Sequence, residues 1–518
     1  MNPREPHLVG SEIARQSAAG LRALMDAGTT TSAEVTAALL GRIEAIDRGG
    51  PRLRAVLSVN DRALDEAAVL DTERRAGHTR GPLHGIPILI KDNIDTAGTL
   101  GTTAGSLALS GPPPAVDARL VAQLREAGAI ILGKTNLSEW ANFRGRPSSS
   151  GWSAAGGQTR NPFALDRTPG GSSSGSAAGV VAGLAPIAIG TETDGSILCP
   201  SAACGIVGLK PTVGLVSRTG IVPISSSQDT AGPMARSVAD AALLLDALTA
   251  APADPADPAM AARPHAPGGY LAALDGDLRG FRIGVARDER YFGYHSGMDR
   301  AVEAMLGAFA EAGAELVDPV TGIGMVSHVD EMIVLCTEFK AGLAAYLARR
   351  WSTATDAAGL PRSLEDVVAF NEATGEELLS VFPQDVLLRS AESGGLDEPA
   401  YLEALAANHR RSRDDGIDAV CRREALDALV APTMVPAWLI DYVDGDHHAG
   451  AAWDQAAIAG YPSISLPVGE FQGLPVGLTI WGRAWTEATL LNIAFALERQ
   501  IGFSPVATFR ESVGSVPS

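Results

Sequence analysis

Two glycine- and serine-rich loops bracket a short apolar helix and strand between residues 168 and 236, and no other part of the chain restricts its fold and chemistry so tightly. The first loop, GGSSSGS, begins at Gly170, and the second, GTETDGS, ends at Ser196. Such composition reads by default as a flexible linker. Here, however, apolar sequence resumes at once: AAGVVAGLA (177–185) reads as a buried helix and IAIGTET (187–193) as a strand. Glycine between packed elements lets backbone approach backbone or ligand closely. Splitting an amide requires a nucleophile, a base and donors for the oxyanion, and loops at strand ends can present all three. Composition alone leaves a plain hydrogen-bonding loop equally open.

The rest of the chain alternates strand and helix patterns. IPILI (86–90) reads as a buried strand, 116–127 as a helix with Val116, Leu120, Val121 and Leu124 on one face, and AIILG (129–133) as a second strand. That order predicts a right-handed parallel crossover. Near the start, Thr31 and Glu34 form a capping box ahead of Val35, Leu39, Ile43 and Ile46. Another helix is expected from Ser237, with Asp240 three residues on. The Pro- and Ala-rich segment 250–269 is expected to be a surface loop, and RIGVA (282–286) a strand. Residues 297–425 carry mostly helical patterns. Strand patterns return at 426–432, 463–469 and 474–482, before a last helix at roughly 486–499.

Composition narrows the class of partner. The chain has 518 residues and a net charge of −19, which disfavours phosphate backbones, so no nucleic-acid partner is expected. The opening MNPREPHLVGSEIARQ has no long apolar core behind a basic end and does not read as a secretory leader. Without a long unbroken apolar run, no membrane partner is expected. The cysteines, Cys199, Cys204, Cys336 and Cys421, show no CxxC spacing, which argues against a zinc or redox site and for a reduced, cytoplasmic protein. Cys199 and Cys204 read as small core residues.

The stretch 168–236 resembles the amidase signature, GGSSGGS…GTDxGGSxRxPA…CGxxGLKPT, along its full length. KDNIDTAG (91–98) resembles that family's lysine segment, and GYPSISLPVG…GLPVGLTIWG its closing strands. The likeness covers roughly 80–500. Within the family, LSEWANFRGRPSSSGWSAAGGQTRN (137–161) and TETDGS look most like the bacterial peptide-amidase branch. The resemblance implies an α/β amidase-signature fold: a central mixed β-sheet flanked by helices, with a helical insertion. It implies one amidase domain, comprising an N-terminal helical region (1–80), a signature core (81–250), the insertion (297–425) and a return to the sheet (426–505).

The family's roles transfer residue by residue. Ser196 matches the nucleophile, Ser172 the bridging serine after a cis peptide bond, and Lys91 the general base. Oxyanion and substrate-binding groups are implied at Gly171, Thr193, Asp194 and Gly195, with no metal and no cofactor. The expected reaction converts a carboxamide to acid and ammonia through an acyl-serine, with peptide C-terminal amides favoured. The alternatives are a general aliphatic or aryl amidase, the glutaminase subunit of a tRNA-dependent amidotransferase, and an inactive binding protein on the same fold. The expected partner is a small or peptide amide, and the expected assembly a monomer or homodimer.

Two positions depart from the signature. Asp194 stands where the family has the first of two glycines, and Leu198 where it has arginine. Rivals exist for two roles: Ser173 and Ser174 beside Ser172, and Lys134, which also follows an apolar run. Lys210 reads as structural. The pair His447–His448 lacks a spaced partner and reads as a solvated loop.

Overall fold

The computed structural model describes residues 10–264, 269–352, 359–374 and 379–514. In chain order its strands are β1 (Val56–Val59), β2 (Pro87–Lys91), β3 (Ile130–Thr135), β4 (Trp152–Ser153), β5 (Gly157–Gln158), β6 (Ile187–Glu192), β7 (Val207–Lys210), β8 (Thr230–Ala235), β9 (Arg282–Ala286), β10 (Glu315–Val320), β11 (Ala428–Pro432), β12 (Ser463–Phe471) and β13 (Leu474–Trp481). All but β4 and β5, which form a small ribbon, join one mixed 11-stranded sheet in the order β1-β3-β2-β6-β8-β7-β12-β13-β11-β9-β10.

The central strands are buried along their whole length, as near-continuous apolar runs require. β2 pairs in parallel with both β3 and β6, so their C-terminal ends share one edge of the sheet. The helix Arg119–Glu126 supplies the crossover between β2 and β3. It starts three residues later than the apolar spacing suggests: Val116 is exposed, and Asp117 turns to accept from Ala97 N–H at 2.7 Å and Arg125 Nε at 3.0 Å. The helix Ser174–Val181 is buried on every side and packs on β2, β3, β6 and β8. Its small side chains permit that close approach.

Three regional expectations need correction. Residues 1–80 are not all helical, because β1 adds an antiparallel strand beside β3. Residues 297–425 likewise contain β10, a parallel partner of β9 at the sheet edge. Helices His328–Arg350, Leu364–Thr374, Asp385–Ala391 and Pro399–His409 do fill most of the segment beyond β10, while 353–358 and 375–378 lie outside the described residues. Neither strand is legible in the sequence because neither shows an inside/outside alternation: β1 is half-buried over most of its length, and β10 is buried only at its last residue. The expected loop 250–269 contains a short 3-10 turn, Pro258–Ala262, that buries Met260; its residues 265–268 lie outside the described part, as do the first nine residues of the opening segment. No described helix is long and apolar enough to cross a membrane.

The capping box forms at Thr31 and Glu34 as the spacing predicts. At the helix Val238–Thr249, Ser237 Oγ accepts from Asp240 N–H at 3.2 Å. The Asp240 carboxylate instead reaches the helix Ala18–Asp26, accepting from Ala18 N–H at 3.0 Å and Ala19 N–H at 3.3 Å. It thereby satisfies two orphan donors at the positive end of that helix. Asp240→Ala should strand both donors and cost about 2 kcal/mol, seen as a lower midpoint in urea or thermal unfolding. A wild-type midpoint would show that this tie contributes nothing.

Candidate active site

The shared edge of β2, β3 and β6 gathers the signature residues. Register pairs Ile90 with Ile189, so Lys91 ends β2 level with the last residues of β6, where its side chain reaches Thr191. Lys91 is fully buried, and its Nζ lies within hydrogen-bond distance of Ser172 Oγ (2.7 Å), Thr191 Oγ1 (2.9 Å) and Thr191 O (3.1 Å). Burial holds the amine well below the ordinary lysine range; Glu192 and Asp229 pull the other way without reversing it.

Lys134 is equally buried but differently surrounded. Its Nζ donates to Ile94 O at 2.6 Å, Gly101 O at 3.0 Å and Thr102 Oγ1 at 2.9 Å, with the Asp92 carboxylate at 3.5 Å. Those acceptors suit an ammonium that fastens the loop after β2, and no serine is among them. Lys210 Nζ donates to Pro211 O at 3.4 Å, and burial pushes it down to about 8.

The serine rivals separate in the same way. Ser173 Oγ donates to Thr191 O at 3.0 Å and accepts from Thr191 N–H at 3.2 Å, while Ser174 Oγ donates to Gly170 O at 2.6 Å. Both hydroxyls bond the backbone, whereas that of Ser172 meets the lysine. The Gly171–Ser172 peptide bond is cis. A side chain at Gly171 would strike Ser138 Oγ and Ser150 Oγ, at 2.4 and 2.8 Å from its Cβ. Ser138 N–H in turn donates to Ser172 O at 3.2 Å. Ser150 is held by Asp446, which accepts from its Oγ at 2.6 Å and its N–H at 3.0 Å.

Ser196 precedes the helix Leu198–Ala203 and is 6% exposed. Its carbonyl accepts from Ser173 N–H at 3.1 Å, locking the two signature loops together. Glu192 accepts from Ile197 N–H at 2.7 Å and Leu198 N–H at 3.0 Å. This carboxylate thus fixes the turn that carries Ser196. Gly195 has φ of +78°, and a Cβ there would lie 2.5 Å from the Trp453 indole. Thr193 Oγ1 donates to Asp229 at 2.6 Å, and Gln228 Nε2 donates to Thr193 O at 3.2 Å. Burial, reinforced by Glu331, Asp454 and Glu192, lifts the Asp194 carboxyl well above the usual carboxylate range.

A cavity of about 500 Å³ adjoins this cluster and is lined by Asn93, Thr191, Thr193, Ser225, Asp229 and Glu338 among others. His447 and His448 are exposed, and among the described residues no group of three His, Cys, Asp or Glu side chains could hold a metal. Cys199 and Cys204 are buried. Sequence reasoning missed Thr191 and Asn93, although both lie inside motifs it singled out. Ser138, Ser150 and Asp229 likewise lie inside stretches it quoted, whereas Asp446 and Trp453 carried no local signal, since only folding brings them to these loops.

Comparison with known proteins agrees with this geometry. The amidase family profile matches residues 34–491. A probable amidase of Arabidopsis thaliana is 40% identical over 88% of this chain and 85% of its own. The A subunit of the glutamyl-tRNA(Gln) amidotransferase of Salinispora arenicola is 37% identical over 96% of this chain and all of its own. The native peptide amidase of Stenotrophomonas maltophilia is 50% identical, superposes with a TM-score of 0.89 and covers 96% of this chain and 99% of its own. A peptide amidase solved with the competitive inhibitor chymostatin matches equally well, at 50% identity and a TM-score of 0.90. With the profile spanning most of the chain and relatives aligned almost end to end, this protein belongs to the amidase family, hydrolases acting on amide carbon–nitrogen bonds.

Proposed function

We propose that the protein hydrolyses primary carboxamides through an acyl-enzyme on Ser196, with Ser172 as proton bridge and Lys91 as base. The observation that carries this reading is the 2.7 Å contact between the buried Lys91 amine and Ser172 Oγ, in surroundings of hydroxyls rather than carboxylates. A neutral amine there can take the Ser172 proton while Ser172 takes that of Ser196. The Ser196 oxygen then adds to the substrate carbonyl, and N–H groups of the loop 193–196 face the developing oxyanion. Collapse breaks the carbon–nitrogen bond, and the proton returns through Ser172 to the leaving nitrogen, releasing ammonia. Water, activated by the same base, then frees the acid.

The C-terminal amide of a peptide is the proposed substrate, supported by 50% identity to peptide amidases over nearly the whole chain. Glutamine, as the substrate of an amidotransferase subunit, is the second reading, supported by the 37% identical A subunits. Ammonia release from a panel of dipeptide amides, glutamine, acetamide and anilides separates them. Dipeptide amides should show the highest kcat/KM, and internal peptide bonds should survive. A preference for glutamine would transfer the protein to the second reading.

Ser196→Ala should abolish both turnover and labelling by a serine-directed phosphonate while keeping the wild-type melting profile. A labelled Ala variant would remove Ser196 from the nucleophile role.

The depressed Lys91 pKa makes a paired prediction for activity and stability. Activity should fall on the acid side, as Lys91 protonates and the base is lost. The unfolded chain binds this proton more tightly than the fold does, so stability rises with pH between the folded and unfolded pKa values. The cost of burying Lys91 is therefore full below its folded pKa and fades as pH rises towards the unfolded value of about 10.4. Lys91→Met should be inactive yet at least as stable as wild type near neutral pH, with any advantage shrinking in alkali. Thermal melts across pH, beside the pH–rate profile, check both halves; an active Lys91→Met with an inactive Lys134→Met would move the base to Lys134.

A further inference from the structure

Asn93 lies two residues beyond Lys91 and is 3% exposed. Its Nδ2 donates at 3.0 Å to Thr191 Oγ1, the same oxygen that Lys91 Nζ meets at 2.9 Å. Its Oδ1 is buried without a hydrogen-bond partner among the described residues. Asn93 and Thr191 both line the 500 Å³ cavity, as does Thr230, whose buried hydroxyl is also unpartnered among the described residues.

Hydrogen counting shows what this arrangement decides. A neutral amine has two hydrogens and one lone pair, and Lys91 Nζ has three neighbours: Thr191 O, Thr191 Oγ1 and Ser172 Oγ. The carbonyl only accepts, so it takes one hydrogen. Either Thr191 Oγ1 takes the second and the lone pair faces Ser172, or the Thr191 hydroxyl donates to the amine and consumes the lone pair. Only the first arrangement leaves a base for Ser172. It is selected when the Thr191 hydrogen goes somewhere other than Lys91.

We infer that Asn93 is a positioning residue: it draws the Thr191 hydroxyl hydrogen away from Lys91 and so aims the amine lone pair at Ser172. In the observed orientation, a cavity water that accepts from Thr191 and donates to Asn93 Oδ1 satisfies both groups. Turned by 180°, the amide accepts the Thr191 hydrogen directly. An apolar side chain at 93 offers neither route. The role rests on the Ser196–Ser172–Lys91 reading. The charged groups that act on Lys91 here are Glu192, at the end of β6, and Asp229, just before β8.

The test is steady-state kinetics of the full chain on a dipeptide amide across pH, with a thermal melt of every variant. Asn93→Leu should lower kcat by about tenfold or more and leave KM within about twofold. Thr191→Val should lose as much, Thr191→Ser far less, and the Asn93→Leu/Thr191→Val double variant no more than either single one, since both remove one device. Asn93→Asp keeps the acceptor and adds a charge, so the acid limb of its pH–rate profile should move to higher pH. This nearly isosteric variant carries the test if Asn93→Leu does not fold. A wild-type kcat in Asn93→Leu, an unmoved acid limb in Asn93→Asp, or a loss confined to KM overturns the positioning role. If wild type shows no acid limb, or Lys91→Met stays active, the parent reading fails instead.

Discussion

The organisation of the site depends on one buried amine that makes no ion pair among the described residues. Lys91 reaches the interior because β2 is apolar along its length and ends in that lysine, and because parallel β6 brings Thr191 alongside. Its neighbours are two hydroxyls and one carbonyl. Desolvating an ammonium costs several kcal/mol, and Glu192 and Asp229, neither of which bonds the amine, do not offset that cost. The protein therefore favours the neutral amine, which is the form that can take a proton. Lys134, on the neighbouring strand, has the same burial and the opposite surroundings: two carbonyls, one hydroxyl and Asp92. Equal burial thus leaves one lysine among hydroxyls and sets the other beside a carboxylate.

An amine of this kind is useful only if its partners hold still. The signature loops are therefore tied down, by one of their own residues as well as from outside. Glu192 gathers the N–H groups that begin the helix after Ser196, and Asp229 holds Thr193. Asp446, almost 300 residues beyond Ser150, holds the serine that closes the space beside Gly171. Trp453 fills the side of Gly195 where a Cβ would project. Glycine and serine provide the freedom to adopt these backbone paths, and the distant acidic and aromatic residues remove that freedom once the chain is folded. This division explains why so flexible a composition forms a rigid site.

The pairing of Asp194 with this arrangement obeys the same logic. In place of a glycine it adds a carboxyl beside Glu331 and Asp454, and mutual repulsion with burial keeps it in the protonated range longer than an ordinary aspartate. That upward shift leaves the negative potential beside Ser196 smaller than the count of acidic residues suggests.

Much of this was legible in the chain itself. The apolar runs at 86–90, 129–133, 187–193 and 474–482 all became central strands, because a strand buried on both faces needs no partner to reveal it. The Thr31–Glu34 box formed because capping is a contact between residues three apart. The edge strands β1 and β10 did not announce themselves, since a strand with half-buried or exposed faces has no apolar signature and exists by pairing with its neighbour. At Asp240 the local reading of a helix start was right, yet its carboxylate went to another helix more than 200 residues away. The resemblance to the amidase signature marked Lys91, Ser172 and Ser196 as candidates, but Ser173, Ser174 and Lys134 carried the same local chemistry. Only the tertiary structure decided their surroundings, because the donors and acceptors around each amine or hydroxyl arrive from strands and loops that the linear order keeps far apart.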